Sequence, residues 1–254
     1  MHELPLVFFT VFTQSAVGAF ILLLIGGTLG QIDRQRMAVG LFSAMCLFGV
    51  GVLLGIFHVG QPLRALNMLL RVGHSPMSNE IVLSAVFATL GGLGALGLLL
   101  NRGAASLCKG LVWLAAAVGV VFAIPQIYQL PTVVTWRTSY TTVMMVLTPM
   151  IGGGILAGLF GLRLGLLVSV LAILVSFCLR PGYILTLMDA DGMLTAAQSS
   201  WFTAQVVLLA VGIVGVAWVR LKTNVAVLAT TSLVVIAAEL VGRIAFYNLW
   251  TLPM

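Results

Sequence analysis

The sequence predicts an all-α integral membrane protein with about eight transmembrane helices in packed helical bundles. Of its 254 residues, 61% are hydrophobic and only 7% are charged. A soluble domain carries roughly 25% charged residues, so this protein lacks the polar groups that would cover a surface in water. Most of it must therefore lie in lipid, and we expect residues 1–254 to form a single polytopic membrane domain.

Apolar runs of about twenty residues, the length that crosses a bilayer, place the helices along the chain. The predicted spans are 5–29, 38–58, 79–100, 108–128, 139–161, 164–180, 199–219 and 223–247. The fifth and sixth spans nearly touch at Gly161-Leu162-Arg163, where a count of seven would fuse or drop one span. The glycines around Arg163 suit a tight turn and favour eight. Gly154 and Gly158 form a GxxxG pair, which predicts close helix packing.

The first span and the cysteines have simple interpretations. The start Met1-His2-Glu3-Leu4-Pro5 lacks the basic residues that open a signal peptide, so we expect the first apolar run to remain as a membrane helix. Cys46, Cys108 and Cys178 lie far apart without a CxxC motif, and three thiolates are too few for the usual iron–sulfur cluster. We expect buried, inert thiols.

The distribution of Lys and Arg predicts the orientation, because loops on the cytoplasmic side are enriched in these residues. One side of the predicted bundle carries Arg34, Arg36, Arg102, Lys109, Arg163, Arg220 and Lys222. The other side carries Arg64, Arg71, Arg137, Arg180 and Arg243. This difference predicts that both termini lie on the outer, periplasmic side of the membrane.

The sequence HVGQPLRALNMLLRVGHSPMSNE, residues 58–80, concentrates the polar chemistry of an otherwise apolar protein. It contains His58, Arg64, Arg71, His74 and Glu80. His58 ends the second predicted span and Glu80 begins the third, so both would lie at one membrane interface. A proline followed by leucines at helical spacing predicts a short amphipathic helix on the membrane surface between them.

Each of these residues has a simpler explanation when taken singly. Arg64 and Arg71 would bind lipid phosphates, Glu80 would be a first-turn acid favoured by the helix dipole, and His58 would be a hydrogen-bonded interfacial histidine. Together they predict a site for a quinol, because a hydroquinone loses two protons with its two electrons and needs acceptors for them. Histidine titrates near neutral pH, and a partly desolvated glutamate can act as a base.

Four stretches of the sequence resemble one family, the membrane anchor subunit of bacterial dimethyl sulfoxide reductase. The most specific is HVGQPLRALNMLLRVGHSPMSNEI at 58–81, which is similar to the family's His-x-Gly-x-Pro-x-Arg-Ala…Asn…Arg-x-Gly…Ser-Asn-Glu signature. The others are HELPLVFFTVFTQSAVGAF at 2–20, PTVVTWRT at 131–138 and ELVGRIAFY at 239–247. The family is related to the anchors of polysulfide and nitrite reductases.

The resemblance implies a specific function. Such an anchor lies in the bacterial inner membrane, binds and oxidises menaquinol near the periplasmic face, and passes the electrons to an iron–sulfur subunit. That subunit supplies a molybdopterin catalytic subunit, so the iron–sulfur clusters and molybdenum belong to partners, and we expect no haem, cluster or molybdenum in this protein. The family's functional histidine and glutamate match His58 and Glu80, and its loop arginine matches Arg64.

Further residues are weaker candidates for the same site. Arg71 and Gln14 would contact the quinol, although a helix–helix hydrogen bond is the simpler explanation of Gln14. Arg71, Arg137 and Trp136 would help to dock the partner subunit at the outer face. Trp136 is also explained by anchoring at the membrane interface.

Glu239 and Arg243 stand four residues apart in the last predicted span, the spacing of a helical ion pair. Structural pairing is the leading interpretation, and a role in proton or quinone handling is the alternative. Two other functions stay open. A secondary transporter would place polar groups near mid-membrane on broken helices, where this sequence has only Glu239 and Arg243. A passive anchor would have no quinone chemistry.

Overall fold

The computed structural model describes residues 3–57, 67, 70–100, 105–123, 128, 133–221 and 224–250. These residues contain eight helices: α1 (Leu4–Thr28), α2 (Arg34–Ile56), α3 (Pro76–Leu99), α4 (Ala105–Ala123), α5 (Ser139–Leu159), α6 (Arg163–Ala197), α7 (Ser199–Leu221) and α8 (Val225–Asn248). All eight are long and apolar enough to cross a membrane. The predicted all-helical class and the count of eight are confirmed.

The helices form two groups of four that meet along α1 and α5. In the first group α1 packs on α2 and α4, and α3 packs on both of these. In the second group α5 packs on α6 and α8, and α7 packs on both of these. α1 also contacts α8. This arrangement places α1 near the middle of the bundle, with side chains of both groups around it.

Close backbone contacts join α1 to α5 and α5 to α6. A Cβ atom built on Gly18 of α1 would collide with the carbonyl group of Pro149 in α5. A Cβ atom on Gly154 would lie 2.6 Å from the carbonyl oxygen of Gly165 in α6. The turn between α5 and α6 uses Gly161 at φ 91°, a left-handed conformation that glycine adopts without strain. The close packing and the tight turn predicted here are both confirmed.

α6 is much longer than the predicted span 164–180. It continues through Pro181 to Ala197, with one non-helical residue at Asp191. Proline removes a backbone hydrogen-bond donor and usually ends or kinks a helix. In a membrane helix neighbouring elements can satisfy the freed groups, so proline is tolerated. Arg180 therefore lies within a helix and not in an outer loop.

The same correction applies to Arg243, which lies within α8 and is buried. Neither arginine belongs in a comparison of loop charges.

The cysteine prediction is also wrong in part, because only Cys108 is buried, whereas Cys46 and Cys178 lie on the outer surface of the bundle. Their helix faces point away from the core. The predicted surface helix after His58 lies outside the described residues.

The Gly154 contact leads to a stability prediction. Gly154→Ala should destabilise the protein by about 1–3 kcal/mol, because the added methyl group must push the backbones of α5 and α6 apart. Gly92→Ala is the matched control, since a Cβ atom there meets nothing within 4 Å. Thermal unfolding of both variants in detergent measures the difference. Equal unfolding temperatures would show that close α5–α6 contact does not limit stability.

Candidate functional site

Glu80 lies near the start of α3, at the end of the bundle where α1 begins and α8 ends; we call this the site end. The preceding turn is fixed by Gly73, at φ 86°, whose N–H donates to Asn79 Oδ1 over 2.7 Å. α3 begins at Pro76, so Glu80 stands in the second turn of the helix. The explanation of Glu80 as a first-turn acid is therefore wrong. Its side chain is half-buried.

A buried pair of tyrosines lies within electrostatic range of Glu80. The hydroxyl oxygens of Tyr128, between α4 and α5, and of Tyr247, in the last turn of α8, are 2.5 Å apart. Tyr247 is also hydrogen-bonded to Thr10 of α1. Burial raises the pKa of Tyr128 well above its usual value, and Tyr247 and the charge of Glu80 raise it further. The Tyr128 hydroxyl therefore stays protonated and can donate a hydrogen bond at neutral pH.

Trp136 closes an aromatic cluster around this pair. Its ring stacks on Phe246 with the centroids 4.9 Å apart, and its Nε1–H donates to the Phe246 carbonyl oxygen over 3.0 Å. The neighbouring Thr135 hydroxyl donates to the carbonyl oxygen of Leu249 over 2.9 Å. Trp136 is only 7% exposed. Because neighbouring residues enclose nearly the whole ring, little of it is left to anchor in the interface or to contact a partner.

A cavity of about 260 Å³ opens beside Tyr247 between the start of α1 and the end of α8. Its lining residues are Glu3, Leu4, Val7, Ile244, Tyr247, Asn248 and Trp250. This volume is close to the lower end of the range for small-molecule sites, roughly 300 Å³. The cavity combines an apolar wall with carboxyl, amide and phenol groups, which suits a ring that carries oxygen atoms.

The other residues predicted for the site fall in different places. His58 and Arg64 lie outside the described residues, so their positions relative to Glu80 stay predictions. Arg71 and Arg137 are exposed. Both remain accessible to a partner or to lipid headgroups.

Gln14 is buried in the middle of α1, where its Oε1 accepts a hydrogen bond from Arg243 Nη2 over 2.9 Å. The helix–helix hydrogen bond predicted as its simpler explanation is confirmed. Gln14 also lies one helical turn deeper than Thr10, which bonds Tyr247. Two polar contacts thus connect α1 to α8 at successive depths.

Arg243 belongs to a set of polar side chains between α1, α5, α6, α7 and α8, which we call the inner polar cluster; all are buried except Arg180, which is half-buried. Its members are Gln14, Thr148, Arg180, Gln205, Glu239 and Arg243. Arg243 donates to Thr148 Oγ1 over 3.0 Å and contacts the sulfur of Met145. Arg180 donates to Gln205 Oε1 over 2.7 Å. Glu239 hydrogen-bonds to Thr148 and Gln205.

The predicted ion pair between Glu239 and Arg243 does not form. Among the described residues the structure shows a single ion pair, Arg36 with Asp33 at 3.1 Å at the start of α2. Thr148 lies between the two groups, since it accepts from Arg243 and bonds Glu239. Glu239 and Arg243 have the spacing of a helical ion pair but do not form one, because Thr148 of α5 is a hydrogen-bond partner of both.

Half of the inner polar cluster was not predicted from the sequence. Arg180 was assigned to a loop, and Thr148 and Gln205 were not distinguished from other polar residues in apolar spans. The available signal was an arginine beside Pro181 within a long apolar run, because ionisable groups inside membrane helices are functional candidates by default. The cluster surrounds a cavity of about 40 Å³, which has room for at least one water molecule.

Comparison with known proteins identifies the family. Residues 1–249 match the family model described as DMSO reductase anchor subunit (DmsC). The protein is 34% identical to YnfH, a subunit of anaerobic dimethyl sulfoxide reductase in Escherichia coli strain K12. It is 33% identical to the C subunit of anaerobic dimethyl sulfoxide reductase in that strain and in Haemophilus influenzae. Each match covers 98% of this protein and 95% of the relative.

No solved structure matches the protein significantly. The family match covers nearly the whole sequence and includes the segment from residue 58 to Glu80, the loop with Trp136, and the α8 residues that end at Tyr247. The stretches that resembled the anchor family are thus part of one continuous match. The chain belongs to the family of dimethyl sulfoxide reductase anchor subunits.

Proposed function

We propose that this protein is the quinol-oxidising membrane anchor of a respiratory molybdoenzyme complex of the dimethyl sulfoxide reductase type. It binds menaquinol at the site end and passes the electrons to an iron–sulfur subunit. The observation that supports this most is the electrostatic interaction of Glu80 with the hydrogen-bonded, buried Tyr128–Tyr247 pair. A base and a hydrogen-bond donor there meet the needs of a quinol that must lose protons.

The site oxidises the quinol in a reaction that releases two electrons and two protons. Menaquinol gives up two electrons and two protons and leaves as menaquinone. Glu80 accepts one proton and His58 the other, and both protons leave to the outer aqueous side. The phenol groups of Tyr128 and Tyr247 orient the ring oxygens. The electrons pass to iron–sulfur clusters of the partner, which feed a molybdopterin subunit that reduces the terminal acceptor.

The remaining predicted residues take supporting roles. Arg64 and Arg71 stabilise negative charge on the quinol or on Glu80, and Gln14 acts indirectly by holding Arg243. Arg71 and Arg137 are exposed, which supports a role in docking the ferredoxin-like iron–sulfur subunit. Trp136 contributes by holding the loop before α5 against the end of α8.

The orientation we propose places both termini and the partner subunits on the periplasmic side of the inner membrane. Once Arg180 and Arg243, which lie within helices, are removed from the comparison, the loops predicted for the site end contain only Arg64, Arg71 and Arg137. The opposite end keeps all of its seven predicted Lys and Arg residues. The positive-inside rule therefore favours this orientation more strongly than the sequence alone did.

One observation favours a transporter, namely the inner polar cluster near mid-membrane. Transporter sites of this kind are usually formed by helices that break at the site. Here α5 and α8, which carry Thr148 and Arg243, run without a non-helical residue past the cluster. The break in α6 lies at Asp191, three turns beyond Arg180. A quinol site therefore agrees better with these unbroken helices than a transporter site does.

The first test removes the proposed base. Glu80→Gln keeps the size of the side chain but does not accept the proton, so quinol-driven turnover of the assembled complex should fall about 100-fold or more. Asp189→Asn is the control, since it removes an exposed carboxylate near the same end. Turnover is measured with a menaquinol analogue and compared with a viologen dye that reduces the partner subunits directly. Equal quinol turnover in both variants would remove Glu80 from the mechanism.

The second test concerns His58. His58→Arg should weaken binding of a quinol-analogue inhibitor to membranes that contain the assembled complex, and quinol-driven reduction should drop with it. The reason is that the variant removes a neutral proton acceptor and adds a bulky charge. Fluorescence quenching of the inhibitor measures the binding. Unchanged binding together with unchanged turnover would contradict the assignment.

The third test concerns orientation. Alkaline phosphatase fused after the last residue should be active, because the enzyme folds only in the periplasm, whereas a fusion in the turn between α5 and α6 should be inactive. The opposite pattern would place the site end on the cytoplasmic side.

A further inference from the structure

One face of α8 leads from the site end into the membrane. Tyr247, Arg243 and Glu239 are spaced four residues apart, so each lies about one turn, roughly 6 Å, deeper than the one before. The contacts with α1 follow the same spacing, because Thr10 bonds Tyr247 and Gln14 bonds Arg243. The guanidinium group of Arg243 is therefore held one helical turn beneath the tyrosine pair.

The Arg243 guanidinium is rigidly held. Its Nη2 donates to Gln14 Oε1 over 2.9 Å and to Thr148 Oγ1 over 3.0 Å, and its Nη1 contacts the sulfur of Met145. The residue is 5% exposed. A charge fixed by neighbours on two other helices does not reorganise when a reaction occurs nearby, which is the condition for effective electrostatic stabilisation.

The positive charge of the inner polar cluster is not fully neutralised. The cluster contains the guanidinium groups of Arg180 and Arg243 but only one carboxyl group, that of Glu239. Even when Glu239 is ionised, one positive charge remains in excess. No ion pair neutralises either arginine among the described residues. In surroundings of low dielectric constant, a fixed charge acts over longer distances than it does in water.

Only one of the two arginines acts on the tyrosine pair. The charge of Arg243 reaches the hydroxyls of both Tyr128 and Tyr247, where it opposes the charge of Glu80. Both arginines act on Tyr183 and Glu239. The negative charge of Glu80 and the positive charge of Arg243 thus act on the tyrosine pair with opposite effects. Arg243 therefore differs from Arg180 in that its charge acts on the tyrosine pair, although both residues belong to the inner polar cluster.

We propose that Arg243 is a positioning residue for quinol oxidation, whose fixed charge stabilises the anionic form of the quinol at the site end. This inference rests on the proposed function. When an O–H bond of the quinol breaks, the proton passes to Glu80 and the electron pair stays on the ring oxygen. Arg243 stabilises that negative charge through the tyrosine pair without touching the substrate. The two electrons then leave to the partner's iron–sulfur clusters.

The test uses the assembled complex with three variants. Arg243→Gln removes the charge and keeps hydrogen-bonding groups, Arg243→Lys keeps the charge, and Arg180→Gln removes the other cation of the cluster. The measurement is the pH profile of kcat and of kcat/KM with a menaquinol analogue. Turnover with a viologen dye, which bypasses the membrane anchor, reports whether each complex is intact.

In Arg243→Gln, kcat should fall about tenfold with little change in KM, and the acid limb of the profile should move up by about one pH unit. The direction follows because loss of a positive charge makes the quinol harder to deprotonate. Arg243→Lys should recover most of the activity, and Arg180→Gln should stay within about twofold of the wild type.

Two outcomes would overturn the inference. One is a wild-type pH profile in Arg243→Gln, and the other is an equal loss in Arg180→Gln, which would indicate a structural effect of the whole cluster. If the complex with Arg243→Gln does not assemble, Glu239→Gln decides the question, because it removes the one carboxylate that offsets the two guanidinium groups and should move the acid limb to lower pH. A limb that stays in place or moves upward would contradict the proposal.

The variants also distinguish a failure of the proposed function from a failure of this inference. If Glu80→Gln retains full quinol turnover, the site itself is wrong. If Glu80→Gln loses turnover while Arg243→Gln behaves as the wild type, only the role of Arg243 is wrong.

Discussion

The structure depends on how the Arg243 guanidinium is accommodated within a bundle surrounded by lipid. A charged group at this depth is costly unless neighbouring side chains bond it. Gln14 from α1 and Thr148 from α5 do so, and these helices belong to different groups of four. The same hydrogen bonds that make the arginine tolerable therefore fix α8 against α1 and α5. The close glycine contacts between α1 and α5 bring both partners within reach.

This constraint also organises the site end. Because Gln14 fixes Arg243, the next turn of α8 brings Tyr247 beside Thr10 and against Tyr128. Trp136 then closes over Phe246 and holds the loop before α5 in place. Glu80 enters from α3, and its turn is set by Gly73 and Asn79. A carboxyl group, two phenols and a buried cation are thus assembled from three separate parts of the sequence.

Composition and apolar run length were sufficient to predict the helices, because the bilayer imposes a single length scale on every span. They failed at α6, where Pro181 interrupts the pattern but not the helix. The sequence motif around Glu80 indicated one half of the site. The tyrosine pair was not predictable, since Tyr128 and Tyr247 are 119 residues apart and nothing local marks them as neighbours. Likewise, the spacing of Glu239 and Arg243 predicted a direct pair, whereas α5 supplied the intervening Thr148.

The proposed mechanism requires the quinol ring to lie beside Glu80, Tyr128 and Tyr247. Photoaffinity labelling of the assembled complex with an azido-menaquinone, followed by mass spectrometry of the labelled peptides, tests this most directly. We expect labels on the start of α3, on the segment around Tyr128 and on the end of α8, with competition by unlabelled menaquinol analogue. Competed labelling confined to the apolar groove between α7 and α8, lined by Val214, Trp218 and Val227, would contradict the proposed site.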